Sequence, residues 1–399
     1  MSTVLPPGVT DGQRSAPAWT APATARLGKR VVVIGGWAPS LIQFRGPLLA
    51  AMVARGHQVI AMAADGTPAV TAGLAALGVP FEPIQLERTG IDPIADAQAI
   101  RALARRLAAL GPDLVVGYTI KPVIYGSLAA RLARVPHRAA MITGLGSALA
   151  SVRSPRQRVV AAVARRLYRL GLAQCEVVIF QNTDDRDELA RTGALPAGAR
   201  TAIVRGSGVD LAHYAPSPLP PGPPVFLFLG RLLRDKGIAE YVEAARLVRA
   251  RHPEATFQIA GWFDPNPESL TQAELDALIA DGTIQYLGAT DDIRPHLAAA
   301  HALVLPSYRE GTPRSVLEAM AMNRAVITTT APGCRDTVVD GDSGLLVPVG
   351  DAKQLAAAMI RLVSSRDLLT RLAAAGHARA VDLYDARKVA DTVLAALDL

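Results

Sequence analysis

The sequence predicts an α/β protein built from two doubly wound, Rossmann-like domains that face each other across a cleft. Three observations carry this. Short apolar runs alternate with segments of helical period along the chain, the pattern of parallel strands joined by crossover helices. The alternation is interrupted once, by Arg205-Gly206-Ser207-Gly208-Val209-Asp210 and the proline-rich stretch from Pro216 to Pro224, and then begins afresh. The 399 residues are also enough to bury two separate cores. The resulting division is a disordered extension over 1–28, a first domain over 29–207, a second over 208–378, and a C-terminal helix over 379–399 that either returns to the first domain or stays with the second.

The elements follow in order. Arg30-Val31-Val32-Val33-Ile34 is a buried strand ending in Gly35-Gly36, followed by a helix from about Gln43 to Ala54 and a strand over His57–Met62. This is a strand–glycine loop–helix–strand unit, but the later glycines of a dinucleotide fingerprint are missing. Gly35 and Gly36 are therefore either a tight turn or a place where backbone approaches a phosphate or an acceptor. A helix over Thr71–Leu77, a strand over Phe81–Gln85, a long helix from Asp92 to Leu110 and a strand over Leu114–Tyr118 continue the series. Thr119-Ile120-Lys121-Pro122 lies at the C-terminal end of that strand, the end that carries ligands in open α/β sheets. Lys121 there is a phosphate contact or an ordinary solvated lysine. Arg138–Ile142 is the next strand, followed by Thr143-Gly144-Leu145-Gly146-Ser147; Val177–Gln181 and a helix from Thr183 close the half.

Between them, 153–172 carries six arginines and no acid, with Val159, Val160, Val163, Leu167 and Leu170 at helical spacing. A basic face beside an apolar stripe fits a helix on an anionic membrane surface. It also fits an amphipathic helix packed on its own sheet.

In the second half, strands are predicted over Val225–Leu229, Thr256–Ala260, Ile284–Leu287, Ala302–Leu305 and Ala325–Thr328, with a helix from Gly237 to about Arg251. Arg231 and Lys236 stand in Gly230-Arg231-Leu232-Leu233-Arg234-Asp235-Lys236-Gly237, just past a strand, where they can grip a diphosphate and offset its charge. Pro306 to Ala321 is a strand exit, a Gly/Pro loop and a helix start, bracketed by Glu310 and Glu318. Free amides at such a helix start bind anions, and a carboxylate pair suits a polyhydroxylated ligand such as a nucleotide sugar. Dipole-favoured surface glutamates are the plainer account. Asp184-Asp185 and Asp291-Asp292 read as helix caps.

The chain is 50% hydrophobic and only 5% aromatic, with a net charge of +7. That balance points to an anionic partner, whether nucleotide phosphate, lipid headgroup or nucleic acid, although an Arg- and Ala-rich composition drifts basic without one. Residues 1–26 lack the basic-then-apolar order of a signal peptide, and no run approaches ~18 unbroken apolar residues, so no membrane span is predicted. Cys175 and Cys334 form no disulfide framework and lie at no metal spacing, as in a reducing, cytoplasmic setting.

Gly230-Arg231 with Lys236-Gly237, then Glu310-Gly311-Thr312-Pro313 through Glu318-Ala319-Met320-Ala321, then Gly341-Asp342-Ser343-Gly344-Leu345-Leu346-Val347, resembles family 4 of the retaining glycosyltransferases, which have the GT-B fold. The resemblance runs in order over roughly 29–395 and is most specific over 225–350. It implies that Arg231 and Lys236 bind the donor diphosphate, that Glu310 lies by the donor sugar and that Glu318 takes the ribose hydroxyls. Arg231, Lys236 and Glu310 are thereby the expected catalytic set. Backbone of Gly311, Thr312, Arg314, Ser315 and Val316, with Gly35 and Gly36 opposite, completes the implied donor site.

Ser40-Leu41-Ile42-Gln43-Phe44-Arg45-Gly46-Pro47, Thr119-Ile120-Lys121-Pro122 and Thr143-Gly144-Leu145-Gly146-Ser147 are similar to a narrower bacterial group that extends sugars on polyprenyl diphosphate carriers, often from UDP donors. This implies a lipid-linked glycan acceptor contacted by Arg45, Thr119, Lys121, Gly144 and Gly146, peripheral contact with the inner face of the membrane, and a role in surface polysaccharide synthesis. The resemblance implies no cofactor beyond the nucleotide-sugar substrate and no metal. One departure stands out: many members carry a His after the fourth strand, where this chain has Tyr118-Thr119-Ile120-Lys121. A nucleic-acid binder is disfavoured because the arginines are not interleaved with aromatics. A nucleotide-sugar epimerase and a transferase with a soluble acceptor are the rival readings.

Overall fold

The computed structural model describes residues 28–86, 92–145, 155–266 and 268–399. The expected disordered extension therefore lies, except for Gly28, outside the described residues, as do Gly146 and Arg153. The protein is α/β, with two wholly parallel sheets. The first has seven strands: β1 Arg30–Ile34, β2 Gln58–Ala63, β3 Phe81–Pro83, β4 Leu114–Tyr118, β5 His137–Ile142, β6 Val177–Phe180 and β7 Arg200–Ile203. Their spatial order is β3-β2-β1-β4-β5-β6-β7. The second has six: β8 Val225–Leu229, β9 Thr256–Ala260, β10 Ile284–Gly288, β11 Ala302–Leu305, β12 Ala325–Thr329 and β13 Leu345–Val347, in the order β10-β9-β8-β11-β12-β13.

Helices cover both faces of each sheet, so the strands are buried on both sides and read as unbroken apolar runs. Val31, Val32, Val33 and Ile34 are all at most 1% exposed, and Phe226, Leu227 and Phe228 are wholly buried. Because every strand is parallel, all C-terminal ends of a sheet share one edge. The strand order reverses between β1 and β4 and between β8 and β11, and at such reversals an open crevice forms at that edge. The site is built at these two places.

Several elements differ from expectation. The helix expected from Gln43 to Ala54 is two helices, Pro39–Gln43 and Gly46–Ala54, broken at Phe44-Arg45. The segment after Tyr118 is helical, a π-turn over Pro122–Gly126 running into Ser127–Leu132. Strands β7 and β13 were not anticipated; four and three residues long, they are too short to show an apolar run. The C-terminal helix expected over 379–399 falls on two helices, Arg366–Leu383 and Ala386–Ala396, separated by Tyr384-Asp385.

The second of these helices packs on Gly46–Ala54, and its Ala390, Val393 and Leu394, with Leu397 just past its end, belong to the core of the first domain. The chain thus crosses between domains twice, and the crossings touch: Val209 N–H donates to Tyr384 O at 2.7 Å and Ala386 N–H to Val209 O at 3.0 Å. Among the described residues, no helix is long and apolar enough to span a membrane.

Candidate functional site

The second domain supplies a compact charged cluster. The turn after β8 ends in Gly237, whose φ is +73° and whose position leaves no room for a Cβ, since one would stand 2.2 Å from Pro306 O. That close approach brings Lys236 across to the exit of β11. Lys236 Nζ and Glu310 Oε1 form an ion pair at 2.5 Å, with side chains only 11% and 15% exposed. Ser307 Oγ donates to the same Oε1 at 2.8 Å. Arg231 is more open and pairs with Asp264 at 3.2 Å.

Asp235 completes the cluster. Its Oδ1 is buried without a hydrogen-bond partner. Burial pushes its carboxyl above the ordinary range, and Glu310 adds to that while Lys236 and Arg231 oppose it. The cluster therefore has negative charge to spare internally and cations, Arg231 and Lys236, at the mouth where an anion would arrive.

The helix Arg314–Ala321 starts at the same mouth. Pro313 occupies its cap position and offers no side-chain cap, so the first amides are left for a ligand. Glu318 is 8% exposed and accepts from Arg314 Nη2 at 2.9 Å. It also accepts from the Tyr214 hydroxyl. Burial raises its carboxyl, opposed mainly by Arg314 and Tyr214. Val316 is wholly buried in the core, so only its backbone faces the mouth.

The first domain meets this mouth directly. Gly311 lies against it so closely that a Cβ would stand 2.4 Å from Thr143 O and 2.5 Å from Gln181 Oε1. Gly144, with φ +122°, faces Gly311 N. Asn182 Nδ2 donates to Gly311 O at 2.8 Å and to Glu310 O at 3.3 Å. Arg309 pairs with Asp185 at 2.5 Å, and Arg335 with Asp184 at 2.6 Å. Asp184 and Asp185 are thus not the helix caps that the sequence suggests. Asn182 is the cap, accepting from Asp185 N–H at 2.8 Å, and the two aspartates reach across to the other domain. On the other flank Arg314 donates to Gln43 O, and its guanidinium lies 4.9 Å from the centre of the Phe44 ring.

The remaining sequence-selected residues line the first-domain edge or lie beneath it. Gly35 and Gly36 pack on the loop after β4, where added Cβ atoms would meet Tyr118 Oη at 2.4 Å and Thr119 Oγ1 at 2.7 Å. Thr119 has φ +68°, a left-handed conformation that costs a non-glycine residue about 1 kcal/mol or more. Arg45 is 3% exposed, its guanidinium 4.9 Å from the centre of the Tyr118 ring and its Nε without a hydrogen-bond partner. Lys121 is engaged by Asp96 at 3.0 Å, with both side chains almost covered; Tyr125 donates to the other Asp96 oxygen at 2.8 Å. Both cations are therefore sequestered below the edge.

Sequence reasoning missed Asn182, Asp184, Asp185, Arg309 and Arg335 at the seam, and Tyr214 beside Glu318. The available signal was charge: Arg309 directly precedes Glu310, and two adjacent acids open a helix that needs only one cap.

Two family models match the chain: a glycosyl transferase 4-like domain over 43–206, and glycosyl transferases group 1 over 223–365. Over 347 residues the chain is 27% identical to the N,N'-diacetylbacillosaminyl-diphospho-undecaprenol alpha-1,3-N-acetylgalactosaminyltransferase of Campylobacter jejuni, covering 84% of this chain and 89% of that protein. Among solved structures, sucrose-phosphate synthase from Thermosynechococcus elongatus superposes with a TM-score of 0.76 at 21% identity, over 92% of this chain and 97% of that one. Anabaena HepE in complex with UDP superposes with a TM-score of 0.72 at 18% identity, over 92% and 99%. The two structural likenesses bear on the fold alone, while the two family models together take in the second sheet and all of the first but β1. The chain belongs to the glycosyltransferases of the GT-B fold and resembles those that extend polyprenyl-linked glycans.

Proposed function

We propose that the protein transfers a sugar, a hexose or N-acetylhexosamine, from a UDP-linked donor to a polyprenyl-diphosphate-linked glycan, with retention at the anomeric carbon. The observation that carries this is the Lys236–Glu310 pair at the β8/β11 crevice, with Arg231 beside it and the uncapped helix at Arg314 below. Arg231 and Lys236 hold the diphosphate and offset its growing charge as the anomeric C–O bond breaks. A hydroxyl of the acceptor forms the new C–O bond on the same face, and its proton passes to the departing diphosphate oxygen. The cations already at the mouth do the work a metal would do there. Glu310 lies beside the donor sugar and Glu318 receives the ribose hydroxyls.

Two further observations favour a lipid-linked acceptor. The Campylobacter relative is named for a diphospho-undecaprenol substrate. The helix Pro155–Leu172 buries Ala161, Tyr168 and Leu172 against its own domain and leaves Val159, Val160, Val163 and Leu170 exposed beside Arg158, Arg166 and Arg169. The core-facing stripe is thus not the one expected, and the apolar residues left outside fit an interfacial helix on the cytoplasmic face of a membrane.

Purified protein should be scanned with UDP- and GDP-sugars, with and without a polyprenyl-diphosphate glycan, in the presence of EDTA. Acceptor-dependent release of UDP, lost in Glu310→Ala, supports the reading. Donor turnover without acceptor overturns it in favour of an epimerase, and activity only on a soluble glycan overturns the lipid acceptor and the membrane contact.

A further inference from the structure

The turn that opens the helix Thr183–Arg191 does more than start a helix. Asn182 uses both ends of its amide: Oδ1 accepts from Asp185 N–H at 2.8 Å, and Nδ2 donates to Gly311 O at 2.8 Å and Glu310 O at 3.3 Å. Asp185 is wholly buried, and Arg309 of the other domain is its ion partner through both Nε, at 3.1 Å, and Nη2, at 2.5 Å. Asp184 takes Arg335 at 2.6 Å. Arg335 belongs to the turn containing Gly333, whose φ is +76° and whose missing Cβ admits Glu310 O.

Both second-domain segments that fix the Glu310 peptide, 309–311 and 333–335, are therefore tied to one helix N-terminus in the first domain. That end of the helix also favours negative charge. Burial pushes the Asp185 carboxyl up, and its bonds to Arg309 and Asn182 oppose the rise. A buried carboxylate whose positive partner comes from the other domain is a contact of the domains in their closed arrangement; opening them strands Asp185 without its arginine.

We propose that Asn182, Asp184 and Asp185 are positioning residues that clasp the Glu310 loop when the domains close, so that the Glu310 carboxylate reaches its working place only in the closed enzyme. This rests on the transferase reading for the role of Glu310, but the clasp itself is testable without turnover. The clasp is a specific device because it acts on the peptide that carries Glu310, the side chain beside the donor sugar.

The test compares wild type with Asp185→Asn, Arg309→Met, Arg309→Lys and Arg335→Gln by steady-state kinetics, small-angle X-ray scattering of the unliganded protein and thermal melting. The expected result is a kcat lowered roughly 10- to 100-fold in Asp185→Asn and Arg309→Met, with donor KM within about 3-fold, as for a group misplaced beside the reacting centre. Arg309→Lys, which keeps a cation, should recover part of that loss. The radius of gyration should rise in the same variants. Arg335→Gln, on a half-exposed pair, should show the same direction at a smaller amplitude and stays informative if the buried variants fail to fold. A raised donor KM with unchanged kcat, or lost kcat with an unchanged radius of gyration, overturns the clasp. Should wild type turn over no donor, the transferase reading fails by itself. Scattering then decides the clasp: variants as compact as wild type overturn it.

Discussion

Replacing Lys236 by Ala tests the charged cluster most directly. The Lys236–Glu310 pair is short and its side chains are 11% and 15% exposed, close to buried. Removing the lysine leaves the Glu310 carboxylate with Ser307 as its hydrogen-bond donor, and leaves Asp235 nearby without the cation that most opposes its rise. Stranding one member of a buried pair costs about 3 kcal/mol at the lower end of the measured range, which slight exposure favours here. For a domain of this size that corresponds to a fall in Tm of about 6–12 °C. The double variant Lys236→Ala/Glu310→Gln removes both charges together and should recover most of the loss, because neither partner is then stranded. Differential scanning calorimetry of wild type, both single variants and the double variant closes the cycle. A fall below about 2 °C in Lys236→Ala, or a double variant no more stable than the single one, would refute the view that these two charges sustain one another.

Other consequences can be read with simpler assays. Asp235→Asn should stabilise the protein slightly at pH 7, with an advantage that fades as the pH falls. The carboxyl of Asp235 is raised in the fold, so the stability it contributes is present below its unfolded value near 4 and is lost as pH rises through the folded one; urea midpoints at pH 7 and pH 4.5 check the sign. Burial pushes the thiols of Cys175 and Cys334 up to about 11 and about 12, so neither should react with a disulfide reagent at pH 8 in the native protein, and both should react in guanidinium. Gly311→Ala should weaken contact between the domains by about 1–3 kcal/mol, since its Cβ would meet Thr143 O at 2.4 Å. Limited proteolysis within 205–224 should then quicken, and unchanged cleavage would argue against a closed seam. Sedimentation with anionic vesicles should be lost on Val159→Ser/Val163→Ser and in high salt, whereas binding that survives both would place the membrane contact elsewhere.

Much of this architecture was legible because a doubly covered parallel sheet writes itself into local sequence. Val31 to Ile34 and Ala302 to Leu305 are buried on both faces, so each reads as an unbroken apolar run that ends at a turn. The same locality made Arg231, Lys236, Glu310 and Glu318 visible, since each stands just past a strand or at a helix start. What escaped depends on distance. Asp185 looks like any acid in the first turn of a helix; its partner, Arg309, lies 124 positions away, and no local period encodes that pairing. The helix break at Tyr384-Asp385 escaped for the same reason. Neither residue is a glycine or proline, and the break follows from the bridge to Val209 on the outgoing crossing. Leu345–Val347 is a strand only because β12 lies beside it.

The return of the last helix to the first domain has a bearing on synthesis. Ala390, Val393, Leu394 and Leu397 complete a core whose other members all precede Val209. At about 5–20 residues per second, a ribosome that has finished the first sheet needs about 10–40 s more before those side chains emerge. During that interval the outer face of Gly46–Ala54 has no cover, and the nascent first domain waits, incomplete, for the helix Ala386–Ala396.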